Sequence, residues 1–564
     1  MSVQILPPTT AGINPESFAD DLFFAQNRTV TTVLLVLFLI IGFALRVNQL
    51  GTESLSEDEL NKLQTVEEYR FHGLSGKNGE HPFLMKGLQT VSIIAAEKLN
   101  ASISMPQYKI SEEAALRFPL ALAGTFTVLL IFLLLSELFG RSIGLISAIF
   151  WAIEPMAIGF DRIAKEDSLV LFFFLLTNLF WIRGQTAAER GRPNWLWYMW
   201  AAGAGFAALM ASKYYPFVFP ITGSYYAVFQ QIPGQKWGLG PKRWLKFVII
   251  MGVVFLILNP TIILPDTWRE MLKFSSEGSI GRDSYEYLGH FYENRVSAWL
   301  AGVPWTFYYV FIAIKTSLPT LALFLIGLPM LFKRKLGDGR FFIFFWAFFL
   351  LMPFTLMGGK FTRYFTLVEP LVLISAAVCV YYSLKWISVR LGRTTILAGA
   401  VEIVLLVIVV VVPLYNSVAA SPHFRLFTNS IGTHFAPAGS YFPHDEFYDA
   451  STREIVAEIA PRARPQAVVA CETPTVFEYY AHKIGREDLV FISLSDREKV
   501  RTLSAGDIVV AAKGRNYLSN AAFVGYLANS ATPAAETTIA GITSAEIYQL
   551  GTADAVALRA LAAR

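Results

Sequence analysis

Residues 141–183 read RSIGLISAIFWAIEPMAIGFDRIAKEDSLVLFFFLLTNLFWIR. Two apolar runs, 141–160 and 167–183, meet at Asp161-Arg162-Ile163-Ala164-Lys165-Glu166-Asp167. Runs of this length suit a hydrocarbon core about 30 Å thick, yet the turn between them holds five charges in seven residues. Ionisable groups at such depth are costly and usually face a cavity. The stretch therefore marks a membrane protein and a place to look for chemistry. The competing reading is an interfacial anchor whose long side chains snorkel to water.

Outward from this pair, comparable apolar segments lie near 30–48, 114–136, 196–212, 215–231, 245–264, 303–332, 341–357, 365–385 and 395–415, giving about eleven expected spans. Composition agrees, since 54% of the 564 residues are hydrophobic and only 16% charged, too apolar for a soluble protein of this length. Aromatics reach 14%, as expected where rings line spans and sit at headgroup level. The formal charge is only +4, and no nucleic-acid partner is expected. The first apolar run follows an acidic leader (Glu16, Asp20, Asp21) without a small-residue cleavage site, so it reads as a retained span rather than a signal peptide. Cys379 lies inside an apolar run and Cys471 far beyond the last one, which argues against a disulfide between them.

Orientation follows from the loops. With residues 1–29 as a cytoplasmic tail, the inside loops 183–195, 232–246, 333–340 and 385–393 hold fourteen Lys/Arg against two acids, Glu189 and Asp338. That is the positive-inside pattern. Residues 30–415 then form a transmembrane domain with outer loops 49–113 and 265–300, and 416–564 lie outside. From about 450, β-rich runs (467–471, 489–494, 507–512) alternate with helix-like stretches (475–485, 496–503, 520–530). The pattern predicts a small soluble α/β domain. It carries no Gly-rich phosphate fingerprint, so no nucleotide is assigned, and acceptor docking or simple packing would suit it. The expected class is an α-helical polytopic membrane protein with this C-terminal α/β domain, set in a bacterial inner (plasma) membrane.

The first outer loop opens with Leu55-Ser56-Glu57-Asp58-Glu59-Leu60 and continues to Gly79-Glu80-His81-Pro82-Phe83-Leu84-Met85-Lys86. Crowded carboxylates at a partly desolvated surface can accept the proton of an attacking hydroxyl, although Glu57, Asp58 and Glu59 also make an ordinary acidic helix start. Cations at outer span ends run against the positive-inside trend: Lys213 after Ser212, and Lys360 and Arg363 in Lys360-Phe361-Thr362-Arg363-Tyr364. A phosphate leaving group supplies a reason for them, and snorkelling is the bland alternative. Carboxylates for an acceptor and cations for a phosphate together describe one site.

At these residues the chain resembles a known family. Asp58-Glu59 after a first span and His81-Pro82-x-x-x-Lys86 are similar to first-loop motifs of protein O-mannosyltransferases. Leu116-Arg117-Phe118-Pro119, Leu138-Phe139-Gly140-Arg141, Glu154-Pro155, Asp161-Arg162-x-x-x-x-Asp167, Ser212-Lys213 and Lys360-x-x-Arg363-Tyr364 resemble the wider group that includes aminoarabinose transferases. The resemblance covers about residues 30–385 and implies a GT-C membrane fold and a polyprenyl- or dolichyl-phosphate-linked sugar donor. It implies Asp58 as catalytic base with Glu59 beside it and Asp167 as a second acid. It implies His81, Lys86, Asp161, Arg162, Lys213, Lys360, Arg363 and Tyr364 on the substrate side. The chain departs from the mannosyltransferase pattern at Phe83 and Met85, which leaves protein Ser/Thr, lipid or glycan open as acceptor.

The expected chemistry is a single inverting displacement. No cofactor is required, although Asp58, His81 and Asp167 could supply ligands to a divalent metal. His72, His290, His423, His434, His444 and His482 lack metal-ligand spacing and read as surface or packing residues. The rival from another class is a multispanning transporter or flippase of lipid-linked sugar, which usually shows repeat symmetry and charges near the midplane. A non-catalytic scaffold is a third reading. The sequence leaves oligomeric state open.

Overall fold

A computed structural model describes residues 21–229, 240–277, 282–295, 298–391 and 396–563. Most of the expected cytoplasmic tail and part of the loop 232–246 therefore lie outside the described residues.

Helix α1 (Arg28–Val47) starts where Asn27 caps the amides of Thr29 and Val30. Its 20 residues span about 30 Å at ~1.5 Å per residue, and Val33, Leu37 and Ile40 face outward, as a lipid-exposed flank requires. Helix α2 (Glu57–Phe71) begins with a reciprocal capping box between Ser56 and Glu59, and three acids occupy its first turn, where the helix dipole favours them. Helices α3 (Phe83–Ala101) and α4 (Glu112–Phe139) follow, and Gly140, at φ 95°, ends α4 in a conformation that favours glycine.

The stretch quoted at the outset is not one straight span and a turn. Helix α5 (Arg141–Ile153) and helix α6 (Pro155–Asp161) meet at 65°, because Pro155 has no amide to continue the ladder across Glu154. The Glu154 carboxylate secures the bend, accepting from the Ser317 amide (2.7 Å) and the Thr320 hydroxyl (3.1 Å). Helix α7 (Asp167–Glu189) then returns beside helix α8 (Trp195–Ser212).

Among the described residues six helices are long and apolar enough to cross a membrane, or seven with the bent pair as one span. The difference from about eleven has local causes. The expected run 303–332 is divided into Phe307–Lys315 and Leu318–Met330, and 215–231 yields only Phe219–Phe229 after a short 3₁₀ turn. Gly240–Leu258 carries Lys242, Arg243 and Lys246 in its first two turns, and Trp195–Ser212 is rich in Ala and Gly.

The hairpin β1 (Ser284–Tyr287) and β2 (His290–Glu293) lies in the second expected outer loop. After the last long helix, Ile396–Ala420, the chain builds a five-stranded sheet from β3 (Val468–Cys471), β4 (Val490–Ser493), β5 (Ile508–Ala512), β6 (Ala535–Ile539) and β7 (Ile542–Gln549), in the order β4-β3-β5-β7-β6. Strand β3 is parallel to both neighbours, with Val469 opposite Phe491 and Ile508, and β7 runs antiparallel to β5 and β6. Alternation sends Ala470, Val509 and Tyr548 to one face against Phe523, Leu527 and Leu558. On the other face, Val469, Ile508 and Ile547 share a core with Leu55, Leu60, Leu63 and Val66 of α2 and the residues before it. Helices Thr452–Ile459 and Pro474–Lys483 complete that core with Ile455, Val456, Val476 and Phe477, and the second of them reaches the first loop, where the Leu55 amide donates to the Tyr480 hydroxyl at 2.8 Å.

Candidate active site

A cavity of about 600 Å³ opens where α2, the 162–166 turn, the end of α8 and the segment around 361–364 meet, a size within the usual range of small-molecule sites. Asp58, His81, Asp167, Lys213, Arg363 and Tyr364 all line it. Residues spread over 300 positions are brought together because each sits at an element end. Asp58 is in the first turn of α2, Asp167 opens α7, Lys213 leaves α8 in extended conformation, and Arg363 and Tyr364 lie in the 3₁₀ turn Thr362–Leu367.

The charges are interlocked. Lys165 Nζ contacts Asp58 Oδ2, and the Tyr448 hydroxyl donates to the same oxygen at 2.8 Å. The Asp58 side chain is still 42% exposed, toward the cavity. Partial burial works against its charge, but Lys165, Lys62 and Arg363 outweigh that and hold the carboxyl well below the usual carboxylate range. Burial brings Lys165 itself down to about 8 despite Asp58. Glu166 is ion-paired with Lys62 (3.1 Å) and stands 3.4 Å from His81 Nδ1. Burial lowers the His81 imidazole to about 3, against the pull of Glu166, so it is neutral at pH 7. Lys213 reaches Asp167 Oδ1 at 2.8 Å, and this carboxylate overcomes burial to raise the Lys213 pKa. Arg363 is left with no close carboxylate among the described residues, its nearest ion-pair partner being Asp445 at 3.9 Å. The Tyr364 ring lies between reach of both cations, 5.2 Å from Lys213 Nζ and 5.7 Å from the Arg363 guanidinium carbon.

Five expected site residues stand behind this surface instead of on it. Glu59 is buried, accepting from Arg117 (2.8 and 2.7 Å), the Ala164 amide (2.8 Å) and the Ser56 amide (3.0 Å), so it locks α2 to α4 and to the charged turn. Asp161 pairs with Arg46 (2.8 Å) and accepts from Ser168. It packs so tightly on α4 that a Cβ on Gly124 would come within 2.1 Å of its carboxyl. Arg162 donates to the carbonyls of Leu45, Arg46, Asn48 and Gln49 and so satisfies the orphan end of α1. Lys86 donates to the Asn78 and His81 carbonyls, and Lys360 to those of Val303 and Met357. Both lysines are 1% exposed and shape loops rather than face the cavity.

Replacing Glu59 by alanine is expected to cost on the order of 3–5 kcal/mol, because Arg117 would be left charged and unpaired in the interior. Glu59→Gln, which keeps part of the network, should cost less. Unfolding in detergent measures both, and loss of turnover at unchanged stability would instead restore Glu59 as a participant in chemistry.

The cavity also takes in residues that sequence reading passed over. Lys165 and Glu166 belong to the quoted turn, but its five charges carry no mark of which face inward. His444, read as a surface or packing residue, lines the wall, with Tyr448, Arg282 and Arg515. Their neighbourhoods in the sequence are unremarkable, and only the fold brings them in. Among the described residues no group of three His, Cys, Asp or Glu is arranged to hold a metal. Asp58, His81 and Asp167, the alternative ligand set, turn to Lys165, Glu166 and Lys213 respectively.

Residues 108–262 match the family model described as dolichyl-phosphate-mannose-protein mannosyltransferase. The YkcB protein of Bacillus subtilis (strain 168), which bears a mannosyltransferase name, is 34% identical over 97 residues, 17% of this chain and 13% of the length of YkcB. The crystal structure of apo ArnT from Cupriavidus metallidurans is similar over 92% of this chain and 98% of its own, at 14% identity and a TM-score of 0.51. The ArnT structure bound to undecaprenyl phosphate gives 93% and 98% coverage, 14% identity and a TM-score of 0.48. The apo comparison establishes the fold, which is the architecture of ArnT; the six long apolar helices among the described residues mark an integral membrane protein.

Proposed function

We propose that this chain, a membrane glycosyltransferase of the GT-C type, moves a sugar from a polyprenyl- or dolichyl-phosphate donor to a hydroxyl acceptor, with Asp58 as base. The observation that carries the reading is the single cavity in which the open carboxylate of Asp58 shares walls with Lys165, Lys213 and Arg363. A lipid-phosphate donor enters from the bilayer with its phosphate between Lys213 and Arg363, and the acceptor lies on the Asp58 side.

The acceptor O–H bond breaks as its proton passes to Asp58. The acceptor oxygen bonds to the anomeric carbon, and the bond from that carbon to the phosphate oxygen breaks, its electron pair leaving on the phosphate. The anomeric centre inverts, and no covalent enzyme intermediate is needed. Cations aimed at the leaving oxygen stabilise the charge that develops there. Lys165, Lys62 and Arg363 depress the basicity of Asp58. A bound phosphate competes for the same cations, which releases the carboxylate toward its ordinary basicity as the donor arrives.

Asp167 is the second acid, holding Lys213 in place. His81 and Tyr364 form walls on the substrate side. The N-terminus is assigned to the cytoplasm of a bacterium, with the cavity and the 416–564 domain on the outer side of the inner membrane. The family described for residues 108–262 makes mannose the first sugar to try.

The test is transfer by the full chain in nanodiscs, from undecaprenyl- and dolichyl-phosphate sugars to peptide, glycan and lipid hydroxyls. Stoichiometric release of lipid phosphate with glycosylated acceptor is expected. Movement of intact donor between leaflets without release of lipid phosphate would replace this reading by that of a flippase.

A further inference from the structure

The reading of Asp58 as base does not say which of its oxygens meets the acceptor, or what keeps it there. Lys165 and Tyr448 both engage Oδ2. Among the described residues nothing hydrogen-bonds to Oδ1, on a side chain 42% exposed.

Tyr448 comes from far along the chain, and its backbone is unusual. It follows the short helix Pro443–Phe447 with φ 47° and ψ 47°, and Asp449 has φ 60°. Two consecutive non-glycine residues in the left-handed region are disfavoured, a bulky tyrosine more than most, and that place after a helix commonly takes Gly or Asn. Such a conformation persists where its surroundings over-determine it, and here they do. Arg515 grips both carboxylate oxygens of Asp449, one at 2.7 Å, and is itself within 3.0 Å of the Tyr517 hydroxyl. The Glu57 amide donates to Asp449 Oδ2 at 3.2 Å. The turn is therefore fastened to the residue before Asp58, while its tyrosine is fastened to Asp58 itself.

We propose that Tyr448 is the positioning residue of the base: with Lys165 it holds Oδ2 of Asp58, so that Oδ1 faces the cavity to receive the acceptor proton. Arg515 and Asp449 keep the turn in the strained shape that delivers the tyrosine hydroxyl. The inference rests on Asp58 being the base.

It is tested on the full chain in nanodiscs, with undecaprenyl-phosphate mannose and dolichyl-phosphate mannose as donor probes. Tyr448→Phe, which removes one hydroxyl donor to a carboxylate, should lower kcat about ten- to a hundredfold, with donor KM within about twofold. Asp449→Gly relaxes the backbone but removes the fastening, and should lower kcat similarly. The double variant should be scarcely worse than either single one, because both act through one hydrogen bond.

Full kcat in Tyr448→Phe alongside an inactive Asp58→Asn overturns the positioning role and leaves the base reading standing. A fully active Asp58→Asn overturns the base reading. Independently of turnover, a density map of Tyr448→Phe should show the Asp58 carboxylate turned from its present orientation, and an unchanged carboxylate overturns the proposal.

Discussion

Replacing Asp58 by asparagine is expected to reduce sugar transfer by a factor of about 10²–10⁴, the usual worth of a positioned general base. Asparagine has nearly the shape of aspartate and can still accept from Tyr448, but it cannot take a proton at neutral pH. The folding cost should be small by comparison. Lys165 loses its counterion, yet burial has already brought its pKa to about 8, and without Asp58 it can lose its proton near neutrality instead of remaining a buried charge. Because the surrounding cations hold the Asp58 carboxyl well below its ordinary range, this carboxylate stays ionised in acid where a typical aspartate would not. The acid limb of kcat/KM in the unmodified chain should accordingly fall below pH ~4, the ordinary aspartate value. Transfer assays and thermal unfolding in the same detergent separate chemistry from stability, and an Asp58→Asn variant with most of its activity would remove this residue as base.

Arg363→Ala should be the second largest effect, and of a different kind. The guanidinium is 13% exposed and its nearest carboxylate among the described residues is 3.9 Å away, so its donors remain available for a phosphate. A charge-assisted hydrogen bond to an anion is worth about 1.5–3 kcal/mol, which corresponds to a rise in donor KM of roughly ten- to a hundredfold. Arg363→Lys should recover part of this, since it keeps the charge and loses the planar fork. Acceptor dependence should move little in either variant. Equal donor KM in Arg363→Ala and the unmodified chain would take Arg363 out of the phosphate subsite.

Asp167, Lys213 and Arg363 stood out in the sequence as charges placed where hydropathy or the positive-inside trend disfavours them, and Asp58 as one of three crowded carboxylates in a pattern that an ordinary acidic helix start shares. That signal finds unusual charges but does not say what they satisfy. Asp161 and Arg162 share the turn with Lys165 and Glu166, yet the first pair closes α1 and α4 while the second faces the cavity, and the division depends on a bend at Glu154 that turns the peptide by 65°. Pro155 was a readable sign of that bend; its direction was not. Lys86 and Lys360 show the same limit, since a buried lysine can serve backbone carbonyls as well as a ligand. Tyr448, His444 and Arg515 had no local signal at all. The β-rich runs were readable from their alternation with helix-like stretches, but nothing in them foretold that one face of the sheet would share a core with Leu60 and Val66 of α2.

The distance along the chain between Asp58 and Tyr448, 390 residues, has a bearing on how the protein is made. At about 5–20 residues per second, a ribosome that has completed the first carries on for roughly 20–80 s before adding the second. A nascent polypeptide already threaded into the bilayer would hold its proton acceptor loosely for that interval. Lipid-linked sugar would then be largely spared by chains that have not yet reached Tyr448, and full activity would await its synthesis.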